Sequence, residues 1–231
     1  MWRRSLRRHR PTGAEAHQEL VVLLGLEGSA QYLVDGLVYA LRRGSLLWAM
    51  AGQQHVLLSE TAGFDMRVVL VADAALPEHR SGLPPLRGTD LPPRQLVDSA
   101  VTELEQIADA QTSTAGLAAR HAGLLWWLSR AWALWHAVPD GRGRAVHPAV
   151  DQAARLWRDD PTRGVPQIAQ EVGLSPGRLG RRFRTDLGHS VTDYRTDQKL
   201  ARATTLRAEA AHQNWTTIAL DAGFGSYSQF Y

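Results

Sequence analysis

Apolar residues in the first third of the chain fall in short runs separated by turn signals. The runs "LVVLLG", "QYLV", "LVYAL" and "RVVLV" each have the length of a β-strand, and such spacing is typical of antiparallel sheets. Asp35-Gly36 lies between "QYLV" and "LVYAL", which predicts a hairpin with a two-residue loop. Because glycines recur every eight residues, at Gly28, Gly36, Gly44 and Gly52, we expect these strands to form a small antiparallel β-barrel.

Helical periodicity replaces the strand pattern further along the chain. A Pro-rich connector covers residues 77–94, where closely spaced prolines prevent a regular strand or helix. Amphipathic helices are predicted at residues 95–112 and 117–138. The polar, Gly-rich stretch at residues 139–147 predicts a linker to a separate domain.

The second of these helices is rich in tryptophan. Trp127 and Trp135 lie on its apolar stripe, whereas Trp126 and Trp132 lie off it. Packing against the neighbouring helix accounts for one stripe, and large aromatic side chains are also common in protein interfaces. The segment at residues 95–138 is therefore either part of a core or, in addition, the interface of a homodimer.

The segment at residues 148–231 is helical throughout, and its first part has the pattern of a helix-turn-helix. A short helix ends at Gly173, which suits a left-handed C-terminal position. Ser175 is a favourable N-cap for the next helix, and Pro176 suits its first position. Gly188 ends that second helix. Two helices that meet across a turn containing glycine are the signature of this motif.

The second helix of the motif has an apolar and a basic face. Leu179, Phe183 and Leu187 recur at the spacing of one helical face and are expected to point inward. Glycine and arginine share the outer face: Gly177, Arg178, Gly180, Arg181 and Arg184. Arginine can pair with guanine or neutralise phosphate, so this face suits the major groove of DNA. A solvated basic face on an ordinary helix is the alternative.

A second copy of the same register follows. Ile218 lies 50 residues after Ile168, and Ser226 takes the place of Ser175. The matching set in this copy is Ile218, Ala219, Ala222, Gly223, Phe224, Ser226 and Phe230. Two such motifs joined by one helix could read successive faces of the major groove.

Composition and charge change this picture in few respects. The net charge is +3, cysteine is absent, and 44% of the residues are hydrophobic, which is typical of a soluble globular protein. Without cysteine there are no disulfides and no thiolate metal sites. The opening "MWRRSLRRHR" holds five arginines before any acid. We expect a solvated basic tail over residues 1–14, with a phosphate-binding arm or an organelle transit peptide as alternatives.

The C-terminal segment resembles the DNA-binding domain of the AraC/XylS family of transcription regulators. The matching stretches are "IAQEVGLSPGRLGRRFRTDLGHSVTDYRTDQKLARATTL" and "TTIALDAGFGSYSQFY". Arg181 takes the position of the family's characteristic arginine, and Lys199 stands where an arginine is usual. The resemblance implies DNA contacts from both recognition helices: Ser175, Pro176, Gly177, Arg178, Gly180, Arg181 and Arg184 in the first, and Ser226, Tyr227 and Ser228 in the second.

Residues 15–76 resemble the cupin-like sensor domain of the same family. "GSLLWAMAGQQHVLLS" follows the second cupin motif, whereas Val21 stands where a glutamate ligand is expected. The resemblance implies a small-molecule effector, for which the candidate ligand-binding residues are Tyr32, Tyr39, Trp48 and His55. We expect no metal, no cofactor and no catalysis. The alternative is a metal-dependent cupin enzyme that uses Glu15, His17 and His55.

The predicted fold is therefore α+β and multidomain: a cupin-like barrel, a helical middle segment and an all-α double helix-turn-helix domain. The family pattern continues beyond "AGFGSYSQFY", so we expect the second motif to be truncated and frayed, with DNA binding dominated by the first. The predicted function is that of a cytoplasmic, sequence-specific transcription regulator. It would bind promoter or operator DNA, and RNA polymerase if it activates, but no membrane. A ligand-binding module with impaired DNA binding is the alternative.

Overall fold

A computed structural model describes residues 2–4, 19–76, 82–83, 91–112, 116–138, 143–209 and 212–230. Its strands are β1 (Trp2–Arg4), β2 (Leu20–Glu27), β3 (Ser29–Val34), β4 (Leu37–Arg42), β5 (Ser45–Ala49), β6 (His55–Glu60), β7 (Asp65–Val71), β8 (Arg94–Gln95) and β9 (Arg144–Ala145). Its helices are α1 (Asp98–Thr112), α2 (Leu117–His136), α3 (Pro148–Asp159), α4 (Val165–Glu171), α5 (Pro176–Leu187), α6 (Val191–Glu209), α7 (Trp215–Asp221) and α8 (Tyr227–Phe230). Across these ranges, no helix is both long and apolar enough to cross a membrane.

The strands form two antiparallel sheets. The first has the order β1-β7-β2-β5-β8, and the second has the order β6-β3-β4-β9. Their inner faces share one apolar cluster, which includes Val21, Leu47 and Met66 from the first sheet and Tyr32 and Leu57 from the second. The predicted barrel is therefore wrong in one respect: in the described part of the chain no ladder joins the two sheets, and they pack as a sandwich.

Helices cover the outer faces of both sheets. The other side of the first sheet, with Val22 and Trp48, packs against α1 and α2. The other side of the second sheet, with Leu33 and Val56, packs in one cluster with Val150 of α3. Strands that are covered on both faces need apolar residues at every position, as the buried run from Leu20 to Leu26 shows. The molecule thus has four layers, in the order helix, sheet, sheet and helix.

The predicted hairpin is confirmed. Strands β3 and β4 pair antiparallel, with Val34 opposite Leu37. The two loop residues have positive φ angles, 42° at Asp35 and 80° at Gly36. A two-residue loop with both central residues in this region is the type I′ turn that fits the twist of the flanking strands.

The basic N-terminus and the linker differ from expectation where they are described. Strand β1, at residues 2–4 of the expected solvated tail, pairs with β7 instead. Within the expected linker, β9 pairs with β4 and extends the second sheet. The backbone N–H of Val146 also donates to the carbonyl oxygen of Gly36 at 2.9 Å. Free strand edges bind such segments readily because they present unpaired backbone groups.

The two middle helices are close to the predicted ones. Helix α1 begins three residues later than expected because Gln95 belongs to β8, which pairs with β5. Trp127 and Trp135 are buried, and Trp132 packs against the same cluster. The core interpretation is thus confirmed for these three side chains, whereas Trp126 is 60% exposed.

Candidate nucleic-acid interface

The first helix-turn-helix consists of α4 and α5, and its local signals act as predicted. Gly173 in the turn has a φ angle of 73°. The side chain of Ser175 accepts a hydrogen bond from the backbone N–H of Arg178 at 3.4 Å, and Pro176 is the first residue of α5. Gly188 ends α5 in the left-handed conformation. Sequence-local capping thus sets both ends of the second helix.

Helix α5 is held by its apolar face. Phe183 is fully buried, and its ring lies 5.8 Å from that of Trp157 and 5.2 Å from that of Tyr194. The hydroxyl of Tyr194 donates to the carbonyl oxygen of Ala154 at 3.3 Å. Burial raises the pKa of Tyr194 to about 12, against an opposing effect of Arg158. The predicted inward-facing residues Leu179 and Leu187 are also buried.

The opposite face of α5 is basic and open to solvent. Arg178, Arg181 and Arg184 are exposed, and none of them forms an ion pair within the described residues. Arg182 differs because it pairs with Asp186 at 3.1 Å. Three arginines without carboxylate partners on one short helix can bind an external anion without first breaking an internal contact.

A groove of about 280 Å³ runs along this face. Its lining combines the arginines with neighbouring polar and apolar groups: His147, Leu174, Arg178, Arg181, Arg182 and Thr185. No acidic side chain belongs to this lining. The electrostatic character of the groove therefore favours a phosphate backbone or a guanine edge.

The two glycines on this face leave the helix backbone open. A Cβ atom at Gly180 would meet nothing within 4 Å, and one at Gly177 would meet only the Arg181 side chain at 3.9 Å. Neither glycine has a positive φ angle. Nothing inside the protein therefore requires glycine at these positions, whereas close approach of a ligand to the backbone would.

Asp186 is a buried residue of this region that sequence reasoning missed. Its carboxylate accepts the backbone N–H of His147 at 3.0 Å, beside its ion pair with Arg182. The guanidinium of Arg144 in β9 donates to the Asp186 carbonyl oxygen. The strand that extends the second sheet is thus hydrogen-bonded to the C-terminal end of α5. A signal was present, since Asp186 lies three residues after Phe183 on the apolar face.

The second motif consists of α7 and α8. Asn214 caps α7 by accepting the backbone N–H of Thr217 at 2.8 Å, and Ser226 accepts that of Gln229 at 3.3 Å. Gly223 in the turn has a φ angle of 95°. Among the candidate DNA contacts here, Tyr227 is 39% exposed, and Ser226 and Ser228 are exposed as well.

Helix α6 joins the two motifs and contributes Ala203 to the small apolar cluster of the second. Lys199 lies with its Nζ 5.6 Å above the ring of Phe224. Burial, and then the charge of Arg195, lowers the pKa of Lys199. Arg207 similarly lies 5.2 Å over the ring of Trp215. Cations of α6 thus contact aromatic side chains of α7 and of the turn that follows it.

Comparison with known proteins agrees with this geometry. A family model described as a helix-turn-helix domain matches residues 168–231. The arabinose operon regulatory protein of Escherichia coli is 31% identical over 93 residues, which are 37% of this chain and 32% of that protein. Residues 168–231 thus match a helix-turn-helix domain, and the two motifs described above lie in this segment. The chain matches about a third of the length of this relative.

Solved structures also resemble the chain. ToxT from Vibrio cholerae has a TM-score of 0.42 at 14% identity, over 99% of this chain and 88% of that one. An AraC-like transcriptional activator, CuxR, has a TM-score of 0.39 at 16% identity, over 96% of this chain and 76% of that one.

The four candidate ligand-binding residues of the sheets do not all face the same layer of the molecule. Tyr32 and Tyr39 are cross-strand partners in the sandwich interior, where the Tyr32 hydroxyl lies 3.5 Å from the Met66 sulfur. Trp48 points to the opposite side of the first sheet and meets Trp132 edge-on at 5.4 Å. His55 lies at the start of β6, with its Nδ1 3.3 Å from the Gln53 carbonyl oxygen.

Of the three residues proposed for the alternative metal site, only His55 is among the described residues. Glu15 and His17 lie outside the described residues. Among the side chains that are described, no group of three or more potential ligands could hold a metal ion.

Proposed function

We propose that the protein is a sequence-specific, DNA-binding transcription regulator. The proposed division is a sensor at residues 15–76, a helical segment at residues 95–138 and an AraC-type DNA-binding domain at residues 148–231. The protein would act in the cytoplasm on double-stranded promoter or operator DNA, without catalysis. If it activates transcription, RNA polymerase is a further partner.

One observation carries the proposal: the outer face of α5. Arg178, Arg181 and Arg184 are exposed there without internal ion pairs, on a helix whose other face is fixed by Phe183. Rigid presentation of arginines is what base recognition in the major groove requires. Ser175, Pro176, Gly177 and Gly180 belong to the same proposed surface. The second helix would add Ser226, Tyr227 and Ser228.

The sensor role rests on the sandwich. Its interior holds Tyr32 and Tyr39, and we propose that a small-molecule effector binds in or beside this layer. His55 lies opposite Val34 of this layer and would border the effector, whereas Trp48 lies on the other side of the first sheet and would not contact it.

A homodimer remains part of the proposal. Trp126 is the large aromatic side chain of α2 that is exposed, together with Leu117 at the start of the same helix. Exposed apolar groups of this size are typical of interface anchors. Sedimentation of wild type and of Trp126→Ala would test the dimer. A monomeric wild-type protein at micromolar concentration would contradict it.

DNA binding is tested by selecting duplexes from a random library with the full chain. Affinity for the selected site is then measured by fluorescence anisotropy at several salt concentrations. We expect Arg181→Ala to weaken binding by about 1–3 kcal/mol and to relax the preference at one base position. We expect log affinity to fall with log salt.

The matched control is Arg120→Ala, which removes the same charge from α2 on the other side of the sandwich. It should leave the affinity within about twofold, because charges more than about 10 Å from DNA are screened. Equal losses in both variants would mean that only net charge matters. Failure to enrich any sequence would support the rival function, a ligand-binding module that does not bind DNA.

A further inference from the structure

A cavity of about 310 Å³ opens at the edge of the sandwich, where β4, β5 and β8 meet. Its lining combines aromatic and apolar groups, namely Tyr39, Ala40 and Pro93, with the polar and charged groups of Arg42, Ser45, Arg94 and Gln95. None of these lining residues is acidic. The volume lies at the lower end of the range for small-molecule sites.

Arg94 is fixed in place before any ligand arrives. Its Nη1 donates to the carbonyl oxygens of Trp135 at 2.9 Å and Val138 at 2.6 Å. Its guanidinium carbon also lies 3.7 Å from the centre of the Trp135 ring. A cation held this rigidly loses little conformational entropy when it binds an anion.

Gln95 holds Arg42, the second arginine of the cavity, in place. Its Oε1 accepts Nε of Arg42 and the hydroxyl of Ser45, both at 3.2 Å. Its Nε2 donates to the carbonyl oxygen of Arg43 at 2.6 Å. Arg42 and Ser45 therefore share one anchor, beside the fixed Arg94.

The cavity adjoins both ends of the linker that enters the AraC-type domain. Val138, which accepts from Arg94, precedes residues 139–142, and Gly143 follows them. Gly143 packs so closely on Tyr39 that a Cβ there would lie 2.5 Å from the ring. A molecule between Tyr39 and Arg94 would touch the anchors of the linker on both sides.

We propose that this cavity binds a small organic anion, a carboxylate on an aromatic or apolar body, and that this anion is the effector. The carboxylate lies between Arg42 and Arg94, and its body packs on Tyr39 and Pro93. The assignment as effector rests on the proposed regulatory function, whereas the binding site itself does not.

The test is calorimetric titration of the full chain with benzoate, phenylacetate and cinnamate, each beside its neutral amide. We expect at least one acid to bind and its amide to bind at least about tenfold more weakly. The Arg42→Gln substitution should lower the affinity for the acid by a similar factor. Arg43→Gln is the matched control, because Arg43 pairs with Asp98 at 2.8 Å and does not line the cavity. The affinity of this variant for the acid should be within about twofold of the wild-type value.

Arg42 is exposed, so its replacement should leave folding intact, which circular dichroism would check. Binding of no acid at millimolar concentration, equal binding of acid and amide, or full binding by Arg42→Gln would each overturn the site. DNA affinity measured with and without the acid separates the two proposals. A protein that binds DNA but no acid refutes only the site, and one that binds the acid but no DNA refutes the regulatory function.

Discussion

The two helix-turn-helix motifs share a sequence register but differ in what holds them. In the first, Ile168 and Phe183 belong to a cluster that also contains Leu33 and Val56 of the second sheet. In the second, a separate small cluster joins Ile218 to α6 and to its own turn. Helix α5 buries four residues, whereas the described helix α8 buries none.

The difference indicates which motif a conformational change in the sandwich would reach first. The first motif is packed in one core with the sheet, and β9 is hydrogen-bonded to Asp186. The second motif contacts the rest of the protein mainly through α6. A change in the sandwich would therefore act on α5 first, because packed cores transmit displacement.

The largest contrast is expected from truncating one aromatic side chain in each motif, Phe183 in the first and Phe230 in the second. Phe183→Ala should lower the free energy of unfolding by about 3–5 kcal/mol, since a fully buried ring leaves a cavity. Phe230→Ala should cost about 1–2 kcal/mol, because this ring is only partly buried against Phe224 and Trp215. Urea denaturation followed by tryptophan fluorescence measures both. Equal losses would show that the second motif is as firmly packed as the first.

A second contrast concerns the buried carboxylate of α5. Asp186→Ala should destabilise the protein by about 1–3 kcal/mol, because it leaves the His147 N–H without its acceptor. Asp221→Ala, at an exposed position of α7, should change stability by less than about 0.5 kcal/mol. Thermal denaturation of both variants checks this. A small loss of stability in Asp186→Ala would argue against anchoring of the linker to α5 through the His147 N–H.

Alkaline pH should act on the first motif through Tyr194. Its folded-state pKa is raised to about 12 from 10.0, so the folded protein retains a proton that the unfolded chain loses. Stability is thus fully present below pH 10 and falls by about 1.4 kcal/mol per pH unit above it, up to about pH 12. Urea denaturation between pH 8.5 and 11 measures the slope. Tyr194→Phe should flatten it, and an unchanged slope in that variant would assign the effect to other groups.

The smallest effect is expected at Gly180. Because a Cβ there meets nothing within 4 Å, Gly180→Ala should stabilise α5 by about 0.5–1 kcal/mol through helix propensity. The same variant should weaken DNA binding if the backbone of α5 approaches the bases. Melting temperature and anisotropy titration report the two effects separately. Lower stability would mean that the position is crowded in a way that the structure does not show.

Local features of the fold could be predicted from the sequence, and long-range ones could not. Ser175 and Gly188 act within a few residues of their own position, so their roles as caps were predictable. The Asp35-Gly36 turn is local in the same sense. The pairing of β9 with β4 was not predictable, because two residues of a polar stretch carry no pattern.

In the candidate sites, too, the local features could be predicted from the sequence and the long-range ones could not. The exposed arginines of α5 follow from helical spacing and were predicted. Tyr32 and Trp48 were expected around one ligand, but strand direction places them on opposite sides of the first sheet. The cavity between Arg42 and Arg94 joins residues 52 apart in the chain, and no local pattern relates them.

The sequence alone determined the types of the longer elements, the caps and the basic face of α5, since each depends on interactions between near neighbours. It also specified that β2 is covered on both faces, through the unbroken apolar run from Leu20 to Leu26. Only the tertiary structure decided that the strands form an open sandwich, that the linker joins its edge, and that Asp186 connects this edge to α5. These choices depend on which distant surfaces fit together, and that complementarity is a property of the packed chain rather than of any segment.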